Sequence, residues 1–513
     1  MGNEICEALH PFGEPDCESE LKALGDRYRE YYFGNRFSSR ALEPEVYLIV
    51  GRRGSGKTAL GHYFEFQRTL RSSIAIDVDE PMVFEQVTDR IKASVDQARE
   101  FAIPKIAKLW ELVIWSAIFH KLRDTDPRIA AAAFFDKSER KFSNFVRHVL
   151  EALVQRFIKS ERNLLEELEG LLAQPAVEEG KQAVLEIAAR EPVIVAIDTL
   201  ESYAVSDEAT MRALGALIQC AATFNRDYAR KGIHLKVLFM GEVFPYVKEE
   251  VVLNTLKFVR NELHLHWRPK DLMRLICWRF QWYLESTGRG PKLGRGIRWD
   301  SHEDILANVW ERYFGRTVVN GRGVPEKTFP YVLRHTQLRP RQLIVLCNSI
   351  AKRAERAGTF PALAPEHTTG ALAHGDNALA DEVVNSYSSV YRNVGRIVDC
   401  LTGLPMVFRG NELDRRAKHS AAHWPAGTYS PDAFRQLVAQ LGIVGRVRSA
   451  SAAGMLEADF EYFEEGRLPL LVQDECVIHP MFYRRLKIDT GKKMLVYPFP
   501  DHEDFRELML EAA

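Results

Sequence analysis

Residues 46–58 join a short apolar run to the spacing G-x-x-x-x-G-K-T. The apolar run predicts a buried strand that delivers Gly51 to a loop whose backbone N–H groups can surround phosphate oxygens. In this pattern Lys57 can reach the β- and γ-phosphates, and the Thr58 hydroxyl can ligate Mg²⁺. A helix from Lys57 to about residue 70 would add the positive end of its dipole. The segment therefore predicts a strand–loop–helix unit that binds a nucleoside triphosphate.

The alternative is a chance glycine-rich turn, and the strand pattern before the loop and the helix pattern after it argue against that. The residues predicted to bind the nucleotide here are Gly51, Arg53, Gly54, Ser55, Gly56, Lys57, Thr58 and Ala59.

The overall composition is that of an ordinary folded protein. The chain has 513 residues, of which 46% are apolar and 27% charged, and its length predicts two to four domains. Because the formal net charge is −1, bulk charge gives no reason to expect nucleic acid or an anionic membrane as a partner. Local charged patches remain open.

Cysteine usage and hydropathy bear on the compartment. Seven scattered cysteines without C-x-x-C spacing argue against a disulfide framework or a zinc ribbon and fit a reducing cytoplasm. The first residues lack the basic and apolar regions of a signal peptide. The most apolar stretch, 109–119, is short and contains Glu111. We therefore expect a cytoplasmic protein without a membrane-spanning segment.

Five short apolar segments predict strands, and patterns typical of helices lie between them. This alternation is typical of a parallel sheet covered by helices on both faces. The predicted fold class is α/β, a P-loop NTPase with a five-stranded parallel sheet, a large helical insertion, a helical lid and a C-terminal winged-helix-like domain. The predicted strands cover residues 46–50, 73–79, 192–198, 234–240 and 262–267.

Changes of pattern along the chain predict the domain boundaries. Residues 358–381, rich in Ala, Gly, Pro and His, are the best candidate for a linker. The aromatic stripe of Trp110, Trp115 and Phe119 within the insertion is interpreted as core packing. The predicted segments are an N-terminal helical and loop segment (1–45), a P-loop core (46–268) with its insertion (84–190), a lid (269–357), a linker (358–381) and a winged-helix-like domain (382–513).

A second element of the site is Asp198, which ends the third predicted strand. The carboxyl ends of strands in an open α/β sheet border the ligand crevice, so Asp198 is predicted to hold Mg²⁺ opposite Thr58. The alternative is a carboxylate that caps the following helix. The position beside Asp198 is Thr199 rather than an acidic residue. Glu201 is therefore the candidate general base, or else a carboxylate favoured by the dipole at a helix N-terminus.

The strand 234–240 ends in Met240-Gly241-Glu242. Many phosphate-loop ATPases place a polar sensor residue at the end of such a strand. Here Glu242 is the only polar neighbour of that position, which is a departure from the usual pattern.

Arginines near two predicted boundaries could stabilise charge on a transferring phosphoryl group. Arg260 precedes the fifth predicted strand, from where its side chain could reach the nucleotide of a neighbouring subunit. Arg339 and Arg341 open a helix in the predicted lid, where Arg339 would contact bound nucleotide and Arg341 would be catalytic. For all three, a solvated or ion-paired arginine is the alternative.

With these motifs in place, the layout resembles AAA+/STAND-type P-loop ATPases. Within that group it is similar to uncharacterised bacterial defence-associated ATPases and to origin-recognition-like ATPases, over roughly residues 18–350 by motif and 383–490 in outline. The resemblance implies ATP and Mg²⁺ as ligands, nucleotide-linked homo-oligomerisation, and a setting in antiviral defence or genome maintenance. Because an acidic residue beside Asp198 and a polar sensor are both absent, slow, switch-like hydrolysis is expected.

Three functions remain open at this point. The first is an ATP-driven switch that acts through oligomerisation or a separate effector protein, since no nuclease, protease, deaminase or NAD-cleaving motif is recognisable. The second is an ATPase that loads or remodels complexes on DNA, although residues 385–490 contain 13 Lys/Arg against 12 Asp/Glu and are not basic. The third keeps the nucleotide only as a structural ligand.

Overall fold

The computed structural model describes residues 9–66, 72–76, 102–133, 169–198, 208–250, 258–290, 296–320, 323–450, 454–463, 466–490 and 495–499. The chain divides into two compact units, Gly34–Leu265 and Met1–Phe33 with His266–Ala513. These limits differ from the predicted domains, because segment 1–45 is divided between the units and the predicted lid shares a unit with the C-terminal elements. Within the described part of the chain, no helix combines the length and apolarity needed to cross a membrane.

The unit Gly34–Leu265 is built on a parallel sheet of five strands. The strands are β1 (Leu48–Gly51), β2 (Ser72–Ile76), β3 (Val193–Asp198), β4 (Ile233–Met240) and β5 (Leu263–His264). Their spatial order is β2-β3-β4-β1-β5, and each neighbouring pair is parallel. The residues of β1 and β4 are buried throughout, as expected of strands in a parallel sheet that is covered on both faces.

All five predicted strands are present, with limits that differ from the predicted ones by one to three residues. Residues 77–79 of the second predicted strand lie outside the described residues, and β5 keeps only two residues. The predicted helix after the phosphate loop is described as Lys57–Phe66. The other helices of this unit are Arg36–Ala41, Ala102–Leu122, Pro127–Ala132, Pro175–Ala188, Glu208–Tyr228 and Phe244–Glu250.

The described part of the helical insertion contributes to the core of this unit. Trp115 is fully buried and stacks on Phe119, and its ring also meets Phe224 and Tyr228 of the helix that follows β3. Trp110 donates its indole N–H to the carbonyl oxygen of Ala213 on that same helix. The interpretation of this aromatic stripe as core packing is therefore confirmed. Residues 84–101 and 134–168 of the insertion lie outside the described residues.

A fully buried lysine supports the start of β1. The ammonium of Lys236, on β4, donates to the carbonyl oxygens of Glu43 and Val46 at 2.6 Å each. Burial lowers the pKa of this lysine to about 7, with the nearby carboxylates of Glu43 and Glu45 opposing the shift. Its proton is therefore held less tightly in the folded protein than in the unfolded chain.

This difference predicts a pH dependence of stability. Between about pH 7 and the usual lysine pKa of 10.5 the unfolded chain binds more protons, so the free energy of unfolding should rise with pH by up to about 1.4 kcal/mol per unit. Urea unfolding at pH 7.5 and 9.5 measures it. We expect Lys236→Met to lose this increment and the exposed Lys231→Met to keep it. Equal pH slopes in all three proteins would contradict the assignment.

The second unit is mainly helical. Its longest helices alternate with short ones, and a small antiparallel hairpin of β6 (Thr317–Val319) and β7 (Pro325–Lys327) interrupts the helices predicted for 302–357. The α-helices of this unit are Cys17–Leu24, Tyr28–Tyr31, Pro269–Ser286, His302–Ile305, Glu311–Phe314, Thr328–Leu333, Pro340–Ala357, Pro365–Ser386, Val394–Asp399, Asn411–Ser420 and Pro431–Gln440.

A second sheet lies near the C-terminus. Its spatial order is β12-β10-β9-β11-β8, antiparallel except for the β10–β12 pair. The strands are β8 (Val407–Arg409), β9 (Val444–Ala450), β10 (Met455–Asp459), β11 (Glu475–Ile478) and β12 (Leu495–Tyr497). From residue 394 onward the elements therefore run helix, strand, helix, helix and β-hairpin.

The predicted linker 358–381 is wrong for most of its length. Residues 365–386 form a 22-residue helix that packs against Pro340–Ala357. Leu372, Leu379 and Val383 recur at helical spacing and are almost completely buried. The segment is therefore a packed helix rather than a flexible connection.

Buried polar contacts explain why the predicted lid and the C-terminal elements form one unit. Glu326 on β7 is 1% exposed in its side chain and pairs with Arg334 at 3.0 Å. The same carboxylate accepts hydrogen bonds from Tyr497 on β12 at 2.8 Å and from Asn320 at 2.6 Å. Because a buried carboxylate must be paired, this network holds residues 320–334 against the C-terminal sheet.

Candidate nucleotide-binding site

The loop between β1 and the helix Lys57–Phe66 has the backbone that its glycines predict. Gly54 and Gly56 have φ angles of +78° and +94°, which residues other than glycine rarely adopt. A Cβ atom on Gly51 would lie 2.3 Å from Ser55 Oγ. The loop is therefore closely wound, which matches the phosphate-binding spacing. Ala59 follows within the first turn of the helix.

Lys57 is the cation of this loop. Its side chain is almost completely buried, and its ammonium donates to the carbonyl oxygen of Gly51 at 2.8 Å and to that of Arg52 at 3.4 Å. These bonds hold the charge at the loop, where it can pair with phosphate oxygens.

Thr58 and Asp198 meet across the edge of the sheet. The Thr58 hydroxyl donates to Asp198 Oδ2 at 3.0 Å, although 140 residues separate them in sequence. Asp198 ends β3, and Thr58 lies one residue into the helix. The structure thus brings together the two predicted magnesium ligands.

The chemistry of this pair fits Mg²⁺. A hydroxyl and a carboxylate are hard oxygen donors, and Mg²⁺ is usually held by one or two such groups together with phosphate oxygens and water. Among the described residues, no cluster of three or more His, Cys, Asp or Glu could hold a metal by itself. The pair is therefore suited to a magnesium ion that arrives with a triphosphate.

The end of β4 also reaches the loop. β4 lies between β1 and β3 in the sheet, and Gly241, directly after it, donates its N–H to the carbonyl oxygen of Gly51 at 3.0 Å. Glu242 is 1% exposed, and its Oε1 accepts a hydrogen bond from the backbone N–H of Arg53 at 2.9 Å. In the sequence Glu242 stands out only as the polar neighbour of a position that lacks the usual sensor residue, and this contact is not predicted from it.

Arg260 lies at the opposite edge of the sheet from the phosphate loop. Its backbone N–H donates to the Tyr47 hydroxyl at 3.3 Å, and that hydroxyl donates to the carbonyl oxygen of Phe258 at 3.2 Å. Tyr47 precedes β1, whereas Gly51 ends it, so about 13 Å of strand separates the two edges. Arg260 therefore does not lie beside the loop of its own chain.

A groove of about 580 Å³ opens beside Arg260 and is lined partly by Tyr47, Asn225, Arg226 and Arg230. The three arginines are exposed. This edge thus presents cationic side chains to the outside of the unit.

Arg339 and Arg341 belong to the other unit. Arg339 is 5% exposed and donates to Gln337 Oε1 at 2.8 Å. Arg341 donates to the carbonyl oxygen of Pro15 at 2.8 Å and pairs with Glu382 at 3.1 Å. Their roles toward the nucleotide stay predictions, as does that of Glu201, which lies outside the described residues.

Comparison with known proteins gives no family assignment. No family model matches the chain, and no curated protein matches it. The chain is similar to the solved structure of the Aeropyrum pernix ORC2 protein (ADPNP and ADP complexes), at 14% identity and a TM-score of 0.33 over 85% of this chain and 88% of that one. It is also similar to the structure of Cdc6p from Pyrobaculum aerophilum, at 12% identity and a TM-score of 0.26 over 81% and 80%.

At such identities and TM-scores these similarities carry no argument about fold or function. The fold of the unit Gly34–Leu265 is assigned instead from its own geometry. A parallel sheet, a wound glycine loop after β1 and the Thr58–Asp198 contact together make the unit Gly34–Leu265 an α/β fold with a phosphate-binding P-loop.

Proposed function

We propose that this chain is an ATP-binding switch that hydrolyses ATP slowly and acts through nucleotide-dependent oligomerisation or partner binding. The observation that carries the proposal is the 3.0 Å contact of Thr58 with Asp198 beside the wound loop. The AAA+/STAND type and a setting in bacterial antiviral defence rest on the resemblance in sequence motifs alone.

In this proposal the residues of the loop bind and orient the phosphates. Backbone N–H groups of residues 54–59 and the Lys57 ammonium would bind the β- and γ-phosphates, while Thr58 and Asp198 would hold the metal. Bound Mg²⁺ supplies further neutralisation of phosphate charge. Glu201 is the proposed base that takes a proton from the attacking water. Because Thr199 rather than an acidic residue stands beside Asp198, slow turnover is part of the proposal.

The position of Arg260 supports a homo-oligomer. An exposed arginine at the edge of the sheet opposite its own loop is suited to meet a nucleotide bound by a neighbouring copy. An arginine supplied in this way stabilises charge in the transition state. ATP would then favour assembly because each bound nucleotide contacts two chains. Arg341, in the predicted lid, is proposed as a second catalytic arginine, and Arg339 as a contact to the nucleotide.

The C-terminal elements support protein docking rather than DNA binding. In a winged-helix reading, the helix Pro431–Gln440 would enter a DNA groove. Its Arg435 is instead buried, pairs with Asp414 at 2.8 Å and donates to the carbonyl oxygens of Gly410 and Leu470. Arg448 likewise pairs with Asp459 on the neighbouring strand. DNA binding needs such charges free for phosphates, so a separate effector protein is the proposed partner.

Phosphate release tests this function. The wild type should release phosphate slowly without DNA while its mass increases with ATP, and Glu201→Gln should keep ATP-dependent assembly but release phosphate at least about 10-fold more slowly. Multi-angle light scattering follows the mass. Release that strictly requires duplex DNA, with binding that weakens steeply with salt, would instead support the DNA-loading alternative. ATP binding without any phosphate release would leave the nucleotide as a structural ligand.

A further inference from the structure

The feature that the proposed function does not use is the carboxylate of Glu242. It follows β4, the strand that lies between the strand of the phosphate loop and the strand of Asp198. The two predicted magnesium ligands belong to these flanking elements, since Asp198 ends β3 and Thr58 follows the loop after β1. Glu242 is 1% exposed, so its carboxylate is a negative charge that solvent screens only weakly.

Glu242 is bonded directly to the loop. Its Oε1 accepts from the N–H of Arg53, the third residue of the G-x-x-x-x-G-K-T spacing, at 2.9 Å. A backbone N–H of the loop therefore faces a carboxylate of the protein, in a motif whose N–H groups otherwise face phosphate. Negative charge from the protein and from a terminal phosphate would lie side by side.

The backbone before Glu242 lies directly against the loop. A Cβ atom on Gly241 would lie 3.1 Å from the backbone nitrogen of Arg52 and 3.2 Å from the carbonyl carbon of Gly51. The N–H of Gly241 also donates to the Gly51 carbonyl oxygen. The end of β4 and the loop are thus in direct contact beside the Glu242–Arg53 bond.

We propose that Glu242 sets the nucleotide selectivity of the site by disfavouring the γ-phosphate. The ratio of ADP affinity to ATP affinity is then higher in this chain than in a P-loop with a neutral residue at the same position. The inference rests on the proposed function, since it needs a nucleotide at the loop. Like charges roughly 6 Å apart at an effective dielectric of about 20 disfavour binding by on the order of 100-fold before screening by Lys57 and metal. A resting state with ADP bound suits a switch that responds only to a further signal.

The test compares the neutral amide with the carboxylate. A glutamine oxygen still accepts from the Arg53 N–H, so Glu242→Gln keeps the loop contact and removes only the charge. Calorimetric titration of the full chain with Mg·ATP and with Mg·ADP should show ATP affinity rising about 10-fold in Glu242→Gln, with ADP affinity changing less than about 3-fold. Glu249→Gln, which neutralises an exposed carboxylate on the next helix, should leave both affinities unchanged.

Glu242→Asp is a second variant, for use if the Glu242→Gln protein folds poorly. It keeps the charge and should therefore keep the wild-type ratio of ATP affinity to ADP affinity. A ratio that is the same in wild type and Glu242→Gln, or affinities that change together, would overturn the proposal and reduce Glu242 to a structural contact. Binding of neither nucleotide by the wild type would overturn the proposed function as well.

Discussion

Replacing Lys57 by alanine is expected to weaken ATP binding by at least about 100-fold, or roughly 3 kcal/mol. The ammonium lies almost completely buried at the loop, on the carbonyl oxygen of Gly51, where its charge is screened weakly and can pair with two phosphates. Hydrogen bonds to charged groups contribute about 1.5–3 kcal/mol each, and the alanine leaves the phosphates without this partner. Calorimetric titration with Mg·ATP measures the loss.

The matched control is Lys231→Ala, which removes an exposed lysine before β4 and should leave the affinity unchanged. Thermal unfolding of the nucleotide-free Lys57→Ala protein separates a binding role from a structural one. If nucleotide served only to stabilise the fold, the variant would lose stability in the presence of ATP and show no change in phosphate release. An ATP affinity of Lys57→Ala within about 10-fold of the wild-type affinity would contradict the assignment of the loop.

The second large effect is expected at Arg334, in the other unit. Its guanidinium pairs with Glu326 at 3.0 Å while the two side chains are 5% and 1% exposed, and the nearby charge of Glu326 raises the pKa of Arg334 against the effect of burial. Arg334→Met would leave a buried carboxylate without its counter-charge. Breaking one side of a buried ion pair costs about 3–5 kcal/mol, and we expect that loss in urea unfolding.

Two further variants separate the missing charge from the missing packing. The double variant Arg334→Met with Glu326→Gln should recover at least half of the loss, because a neutral amide oxygen still accepts from Tyr497 and Asn320. Arg316→Met removes an arginine that is 65% exposed and should change stability by less than about 0.5 kcal/mol. A loss below about 1 kcal/mol in Arg334→Met would show that the ion pair does not hold this unit together.

The parts of the site that sequence analysis predicted are those that local pattern determines. A glycine spacing dictates the winding of the loop, because Gly54 and Gly56 must adopt positive φ angles. Continuous apolar runs identify buried parallel strands. The contact of Thr58 with Asp198 followed from their positions at a helix start and a strand end, since carboxyl ends of parallel strands meet at one edge of the sheet.

The contact of Glu242 with Arg53 could not be predicted in the same way. It spans 189 residues and depends on β4 lying directly beside β1, an order in the sheet that apolar runs do not encode. Likewise, the sequence does not show that Arg435 is buried, because its contact with Asp414 joins two separate helices. Both cases are decided by packing between distant segments.

Two secondary-structure errors have local causes. Residues 358–381 are predicted as a linker because their content of Ala, Gly, Pro and His is typical of loops, although the apolar spacing of Leu372, Leu379 and Val383 fits a buried helix face. The hairpin of β6 and β7 was missed within a helical stretch. The sequence after β6 reads Asn320-Gly321, a pair typical of hairpin turns, so that signal was present.

We assign the loop Gly51–Thr58 and the side chain of Asp198 to one site, which binds a magnesium-bound triphosphate. The wild-type arm of the calorimetric titration tests this assignment most directly, with ATP added in the presence of Mg²⁺ and again in EDTA. We expect one ATP bound per chain. The affinity should be at least about 10-fold weaker in EDTA, because Thr58 and Asp198 then contribute no metal contact. No binding at millimolar ATP, or the same affinity with and without Mg²⁺, would contradict it.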